Sequence, residues 1–134
     1  MVRLPPPPNE KPLHWVGSSR KDFGAFPGTV QGNIGYALGV AQLGGKHPKA
    51  KPWKGLGPGV FEIVEDYEGN AFRVVFTVRP AQAVYVLHAF QKKSKSGIKT
   101  PKSDVDLVGK RLQLAMRHYE AQYGVESGKD KTHE

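Results

Sequence analysis

Apolar residues recur along this chain in two rhythms, and each predicts a different element. Pro12–Gly17 (PLHWVG) reads as a short strand at a sheet edge. SSRKDFGAF follows, with Ser18 or Ser19 as the N-cap of a short helix or turn. Pro27 suits the first position of a helix, and Val30, Ile34, Ala37, Leu38 and Ala41 then repeat at helical spacing. Leu43–Pro48 (LGGKHP) ends that helix with glycine and a later proline. Lys51–Gly59 is a loop of tight turns. The rhythm then shortens. Val60–Asp66, Ala71–Arg79 and Ala83–Phe90 read as a three-stranded meander, with Phe61/Ile63 and Phe72/Val74/Phe76 as core rows. Tyr67–Asn70 is the first hairpin turn, with Gly69 and Asn70 accepting positive φ. Thr100 caps a last helix, with Pro101 at its first position and Asp104 near the positive end of its dipole. Val105, Val108, Leu112, Ala115 or Met116, and Tyr119 form its apolar stripe.

The order β-α-α-β-β-β-α predicts a compact α+β domain, an antiparallel sheet with helices on one face and the other face open. Residues 1–11, with four consecutive prolines, read as a flexible arm; 12–124 form the domain, and 125–134 a polar, disordered tail. Within the second helix Gly28, Gly32, Gly35 and Gly39 share the side opposite the apolar face. Interior glycines weaken a helix. Either packing holds a poor helix, or another backbone approaches a smooth face.

Composition narrows the function classes. The 134 residues suit one core, and 38% apolar content suits a soluble domain. No apolar run reaches the roughly 18 residues of a membrane span, and the N-terminus lacks the apolar region of a signal peptide. With no cysteine there is no disulfide or thiolate metal site, in keeping with a cytoplasmic setting. A net charge of +8 favours an acidic partner, nucleic acid above all. The basic residues cluster. Lys46, Lys49, Lys51 and Lys54 form one group with His47; Lys92, Lys93, Lys95, Lys99 and Lys102 form a second.

The candidate chemistry lies in the meander. Glu62, Arg73 and His88 each interrupt an apolar strand, one per strand. A Glu–Arg cross-strand pair and a buried, satisfied histidine would account for them structurally. With Lys92 they also fit phosphodiester cleavage. That chemistry needs a base for the ribose 2′-OH, fixed positive charge at the phosphoryl oxygens, and an acid for the leaving oxygen. Arg73 suits the charge clamp, and His88 suits acid or base. The histidines show no paired ligand spacing, so neither a metal nor a cofactor is expected. GVAQLGGKH lacks the Ser or Thr of a phosphate loop.

The blocks LHWVGSSRKDFGAFP, IGYALGVAQLGGKHPKAKPWKGLGPGVFEIVED, FRVVFTV and VYVLHAFQKKSKSGIKTPKSDVDLVGKRL carry a close resemblance to the phage-derived toxin family within the RelE/HigB/ParE superfamily of type II toxin–antitoxin systems. The resemblance implies a RelE-like fold and a bacterial cytoplasmic toxin that cuts mRNA, usually on the ribosome. It also implies a cognate helix-turn-helix antitoxin as partner. By position it matches Arg73 to the strand arginine of these nucleases, and Lys92 or Lys93 to the basic residue closing the last strand. The base stays open between Glu62 and His88, and Lys54, Lys92, Lys93 and Lys95 are the RNA-binding candidates. A ParE-like gyrase poison and a non-catalytic basic adaptor remain the alternatives.

Overall fold

The computed structural model describes residues 9–92 and 100–124. The predicted arm and tail, and Lys93, Lys95 and Lys99, lie wholly or mainly outside the described residues. The elements are β1 (Leu13–Trp15), α1 (Ser19–Gly24), α2 (Gly28–Gln42), β2 (Lys51–Pro52), β3 (Val60–Tyr67), β4 (Asn70–Thr77), β5 (Val84–Lys92) and α3 (Lys102–Tyr123). They form an α+β fold around one sheet of order β1-β5-β4-β3-β2. The predicted elements are all present. The short edge strand β2, in the stretch expected as loop, is an addition.

Two features of the arrangement differ from expectation. The sheet is mixed, because β1 runs parallel to β5 while the meander is antiparallel. The helices also lie on both faces. Val30, Ile34 and Leu38 of α2 pack with Ile63, Val74, Phe76 and Val86 on one side. Val108, Leu112, Ala115 and Tyr119 of α3 pack with Val60, Val75, Tyr85 and Leu87 on the other. The cause is visible in β5, whose residues from Val84 to Ala89 are all buried. A strand buried on both faces requires a layer on each. Aromatic rings stitch the α2 side together: Trp15 to Phe23, Phe23 to Phe26 and Phe26 to Phe72, with centroids 5.2, 5.7 and 4.9 Å apart.

The register of β5 breaks once. Val75 pairs with His88, but Phe76 pairs with Val86, leaving Leu87 as the extra residue of a β-bulge. Before the bulge, Val84 and Val86 face α2; after it, Ala89 does. Strict alternation from Val86 would have turned His88 toward α2. The bulge instead sends Leu87 and His88 together toward α3.

Smaller corrections follow local chemistry. The positive-φ pair in the first hairpin is Glu68 and Gly69, one residue earlier than expected, with Asn70 already in β4. Pro101, not Thr100, precedes the first turn of α3. In α3, Val105 is exposed, and Ala115 rather than Met116 is fully buried.

The last turns of α3 are fastened by a histidine–tyrosine cluster. His14 Nε2 lies 2.7 Å from the Tyr123 hydroxyl, and Tyr85 Oη lies 2.6 Å from His118 Nδ1. The two imidazoles stand 4.9 Å apart. Burial pushes the Tyr85 phenol up to about 12. Burial, and then the neighbouring His118, hold His14 below its ordinary 6.5.

Two predictions follow from this packing. A Cβ added at Gly32 or Gly35 meets nothing within 4 Å, and neither position has positive φ, so no element of the described chain approaches the glycine side of α2. Gly35→Ala is expected to stabilise the fold by about 0.5–1 kcal/mol, read from chemical denaturation; an unchanged or lowered midpoint would contradict the packing described. The second concerns pH. Because the folded state binds a proton at His14 less readily than the unfolded chain, this contribution to stability is full above the ordinary value of 6.5 and declines as pH falls below it. The melting temperature of His14→Gln should fall less than that of the parent on that acid side.

Candidate active site

α3 covers only part of its face of the sheet. Toward the β3–β4 hairpin the same face carries Glu62 from β3, Arg73 from β4, and His88, Phe90 and Lys92 from β5. The register brings them together. Arg73 lies opposite Phe90, Val75 opposite His88 and Ala71 opposite Lys92. Glu62 sits one pleat away, diagonal to Arg73, whose direct partner is Val64. Arg73 Nη1 donates to Glu62 Oε2 at 2.6 Å, with side-chain exposures of 19% and 18%. At that exposure the pair is shielded enough to be geometrically defined, yet open to solvent on one side. The structural reading of Glu62 and Arg73 as a cross-strand pair is therefore realised, and it fixes both groups at the surface of the sheet.

His88 was expected on the open face. The residue does face that way, but it is only 6% exposed. Its Nε2 donates to Asp104 Oδ1 in the first turn of α3 at 2.7 Å. Phe90 stacks over the ring, with centroids 4.5 Å apart and planes 20° apart. Nδ1 is buried and has no partner among the described residues. The start of α3 and the Phe90 ring thus close over an imidazole that the bulge had turned their way.

Lys92 ends β5 and is 8% exposed. Burial holds its ammonium below the ordinary lysine range, and the nearby Arg73 guanidinium pushes in the same direction. Glu62 and Asp104 oppose the shift. Two cations and two carboxylates therefore sense one another around a part-buried aromatic ring. A lysine whose proton is loosened in this way is suited to proton transfer as well as to anion binding.

The outlying basic residues divide between the two faces. Lys51 lies directly across from Glu62 on the edge strand. Lys54 is exposed on the loop after β2. That loop is tied down by Arg79, which donates to the carbonyls of Leu56 and Pro58. Lys49 instead pairs with Glu65 at 2.6 Å, where Asn33 also donates, and Lys46 stands over the Phe61 ring. The first lysine group is thus split by the sheet, with Lys51 beside Glu62 and Lys49 paired on the other face. Two members of the cluster, Asp104 and Phe90, went unnoticed in the sequence as site residues. Among the described residues, no group of three or more His, Cys, Asp or Glu is placed to hold a metal ion, and no helix is long and apolar enough to cross a membrane.

Comparisons with known proteins identify a family. The family described as Phage derived protein Gp49-like (DUF891) matches residues 21–113, a span that includes every residue of the cluster. No curated protein matches the chain. Among solved structures, the chain is similar to one from the toxin–antitoxin complex RelBE2 of Mycobacterium tuberculosis. Identity is 13% and the TM-score 0.42, over 66% of this chain and 98% of that one.

The His88–Asp104 contact joins strand to helix, so its loss has a defined signature. Asp104→Ala should cost about 1–3 kcal/mol, because it leaves both nitrogens of a buried imidazole without a partner. Denaturant midpoints would measure this. Parent-like stability would place that hydrogen bond outside the forces holding α3.

Proposed function

The chain belongs to the Gp49-like family of phage-derived proteins, and from that membership and the charge of the cluster we propose that it is the toxin of a toxin–antitoxin pair, acting as an mRNA endoribonuclease. The observation that carries the reading is the grouping of Glu62, Arg73 and Lys92 on a sheet face that α3 leaves free.

In this reading each residue takes one role. The Glu62 carboxylate takes the proton of a ribose 2′-OH, and the freed 2′-oxygen attacks the adjacent phosphorus. Arg73 holds the charge that builds on the equatorial oxygens. The Lys92 ammonium gives its proton to the departing 5′-oxygen as the P–O5′ bond breaks. The products are a 2′,3′-cyclic phosphate and a 5′-hydroxyl. Burial and the bond to Asp104 favour a positioning role for His88 over a catalytic one. Lys51 and Lys54 extend the positive charge along a nucleic-acid backbone; Lys93 and Lys95, RNA-binding candidates from the sequence, lie outside the described residues. The sequence resemblance supports the ribosome-bound message as substrate, the bacterial cytoplasm as setting and a helix-turn-helix antitoxin as partner.

Primer extension on translated mRNA after induced expression tests the reading. New 5′ ends within codons are expected, with Arg73→Ala lowering their appearance by about 10²–10³-fold. Intact mRNA with gyrase-dependent DNA breaks would replace the nuclease by a gyrase poison. Folded protein with neither effect would leave a non-catalytic adaptor.

A further inference from the structure

The bulge in β5 leaves a backbone carbonyl to be satisfied. Val75 pairs with His88 and Phe76 with Val86, so Leu87 has no opposite residue in β4. β1 gives no help there, because its pairing with β5 ends at Trp15 and Val86. Leu87 is fully buried, and a buried carbonyl without a donor is costly. The donor comes from α3. Arg111 Nη1 donates to the Leu87 carbonyl at 3.0 Å, and Nη2 donates to Ser18 Oγ at 3.1 Å. Ser18 Oγ in turn donates to Asp22 of α1 at 2.7 Å. A guanidinium presents its donors in a fixed fork, so it holds strand and loop at one spacing. Gly17 makes room for it. Its φ is +58°, and a Cβ there would stand 2.8 Å from Arg111 Nε.

We propose that Arg111 is a positioning residue for the candidate site: by holding the Leu87 carbonyl it keeps the bulge in place, and with it the aim of His88, Phe90 and Lys92. The catalytic consequence rests on the nuclease reading above; the clamp itself does not. A bulge is one of several registers open to a strand, and a slip of one residue turns side chains to the opposite face. Were the bulge to move past His88, alternation from Val86 would carry that imidazole to the α2 side, away from Asp104. Arg111 and the space at Gly17 select the register in which the site residues share one face. Arg111 thus works through the backbone of β5 and not on substrate.

Chemical rescue separates positioning from general support. Arg111→Met keeps the apolar stem and removes the fork. NMR of the nitrogen-15-labelled protein reads the hydrogen bond from His88 Nε2 to Asp104, and cleavage of translated mRNA reads the site. In Arg111→Met the His88 Nε2 resonance should shift and broaden. The kcat for cleavage should fall about 10²-fold with KM little changed, the mark of misaligned groups. Methylguanidinium at millimolar concentration should restore both, because it refills the slot beside Gly17. Gly17→Ala places a methyl group in that slot and should reproduce the Arg111→Met phenotype. Gly44→Ala, at another positive φ but with open space around it, should not. A parent-like His88 resonance in both Arg111→Met and Gly17→Ala overturns the clamp. Loss of cleavage with that resonance unmoved also overturns it, since Arg111 would then act by another route. Loss of both with no recovery in methylguanidinium makes Arg111 a general support of the fold and overturns the proposal too. A resonance lost and recovered, in a protein whose parent cuts no RNA, upholds the clamp and removes the nuclease reading alone.

Discussion

The bulge at Leu87 is the constraint on which the candidate site depends. β5 is the hub of the sheet, pairing with β1 on one side and β4 on the other. Its first half must alternate so that Val84 and Val86 meet α2 while Tyr85 meets α3. Its second half must send His88, Phe90 and Lys92 to the α3 side. A strand of unbroken period two cannot meet both demands with this sequence. The extra residue shifts the phase once, and everything beyond it is re-aimed. Leu87 fills the space beneath α3, while His88 reaches the first turn of that helix.

The fold and the site make opposite electrostatic demands, and the sheet separates them. The two apolar layers around Val74 and Leu87 provide burial with almost no charge. The hairpin end concentrates Glu62, Arg73 and Asp104 at partial exposure beside the buried Lys92. Shielding strengthens each interaction there, while residual solvent keeps the desolvation cost of the ions below that of a true interior. The tension appears in Lys92, whose proton is loosened by burial and by Arg73 at once.

Much of the architecture was legible because it rests on periodicity. The apolar spacing of Val30 to Ala41 and of Val108 to Tyr119 located both long helices, and alternation located the meander. What escaped depends on pairing. Parallel docking of β1 on β5 leaves no mark on LHW, and a two-residue strand such as Lys51–Pro52 is too short for a rhythm. The open face was only half right, because the fully apolar run VYVL signals burial on both sides. Candidate site residues stood out where a polar side chain broke an apolar strand, as at Glu62, Arg73 and His88. Asp104 was invisible as a site residue because an acid in a first helical turn already has a reason to be there. Phe90 was invisible because an aromatic residue at a strand end looks like core.

The parallel pairing of β1 with β5 also has a bearing on how the chain is made. Leu13 has no partner until Val84 has been synthesised, and His88 none until Asp104 follows it. Contacts so distant in sequence form late, after the local hairpins. β1 therefore emerges from a ribosome well before β5 and docks only after it. Glu62, Arg73 and Lys92 acquire their shared surroundings only when nearly all of the domain is free of the exit tunnel. A nascent chain of this protein carries an incomplete centre until the segment holding Asp104 has been synthesised.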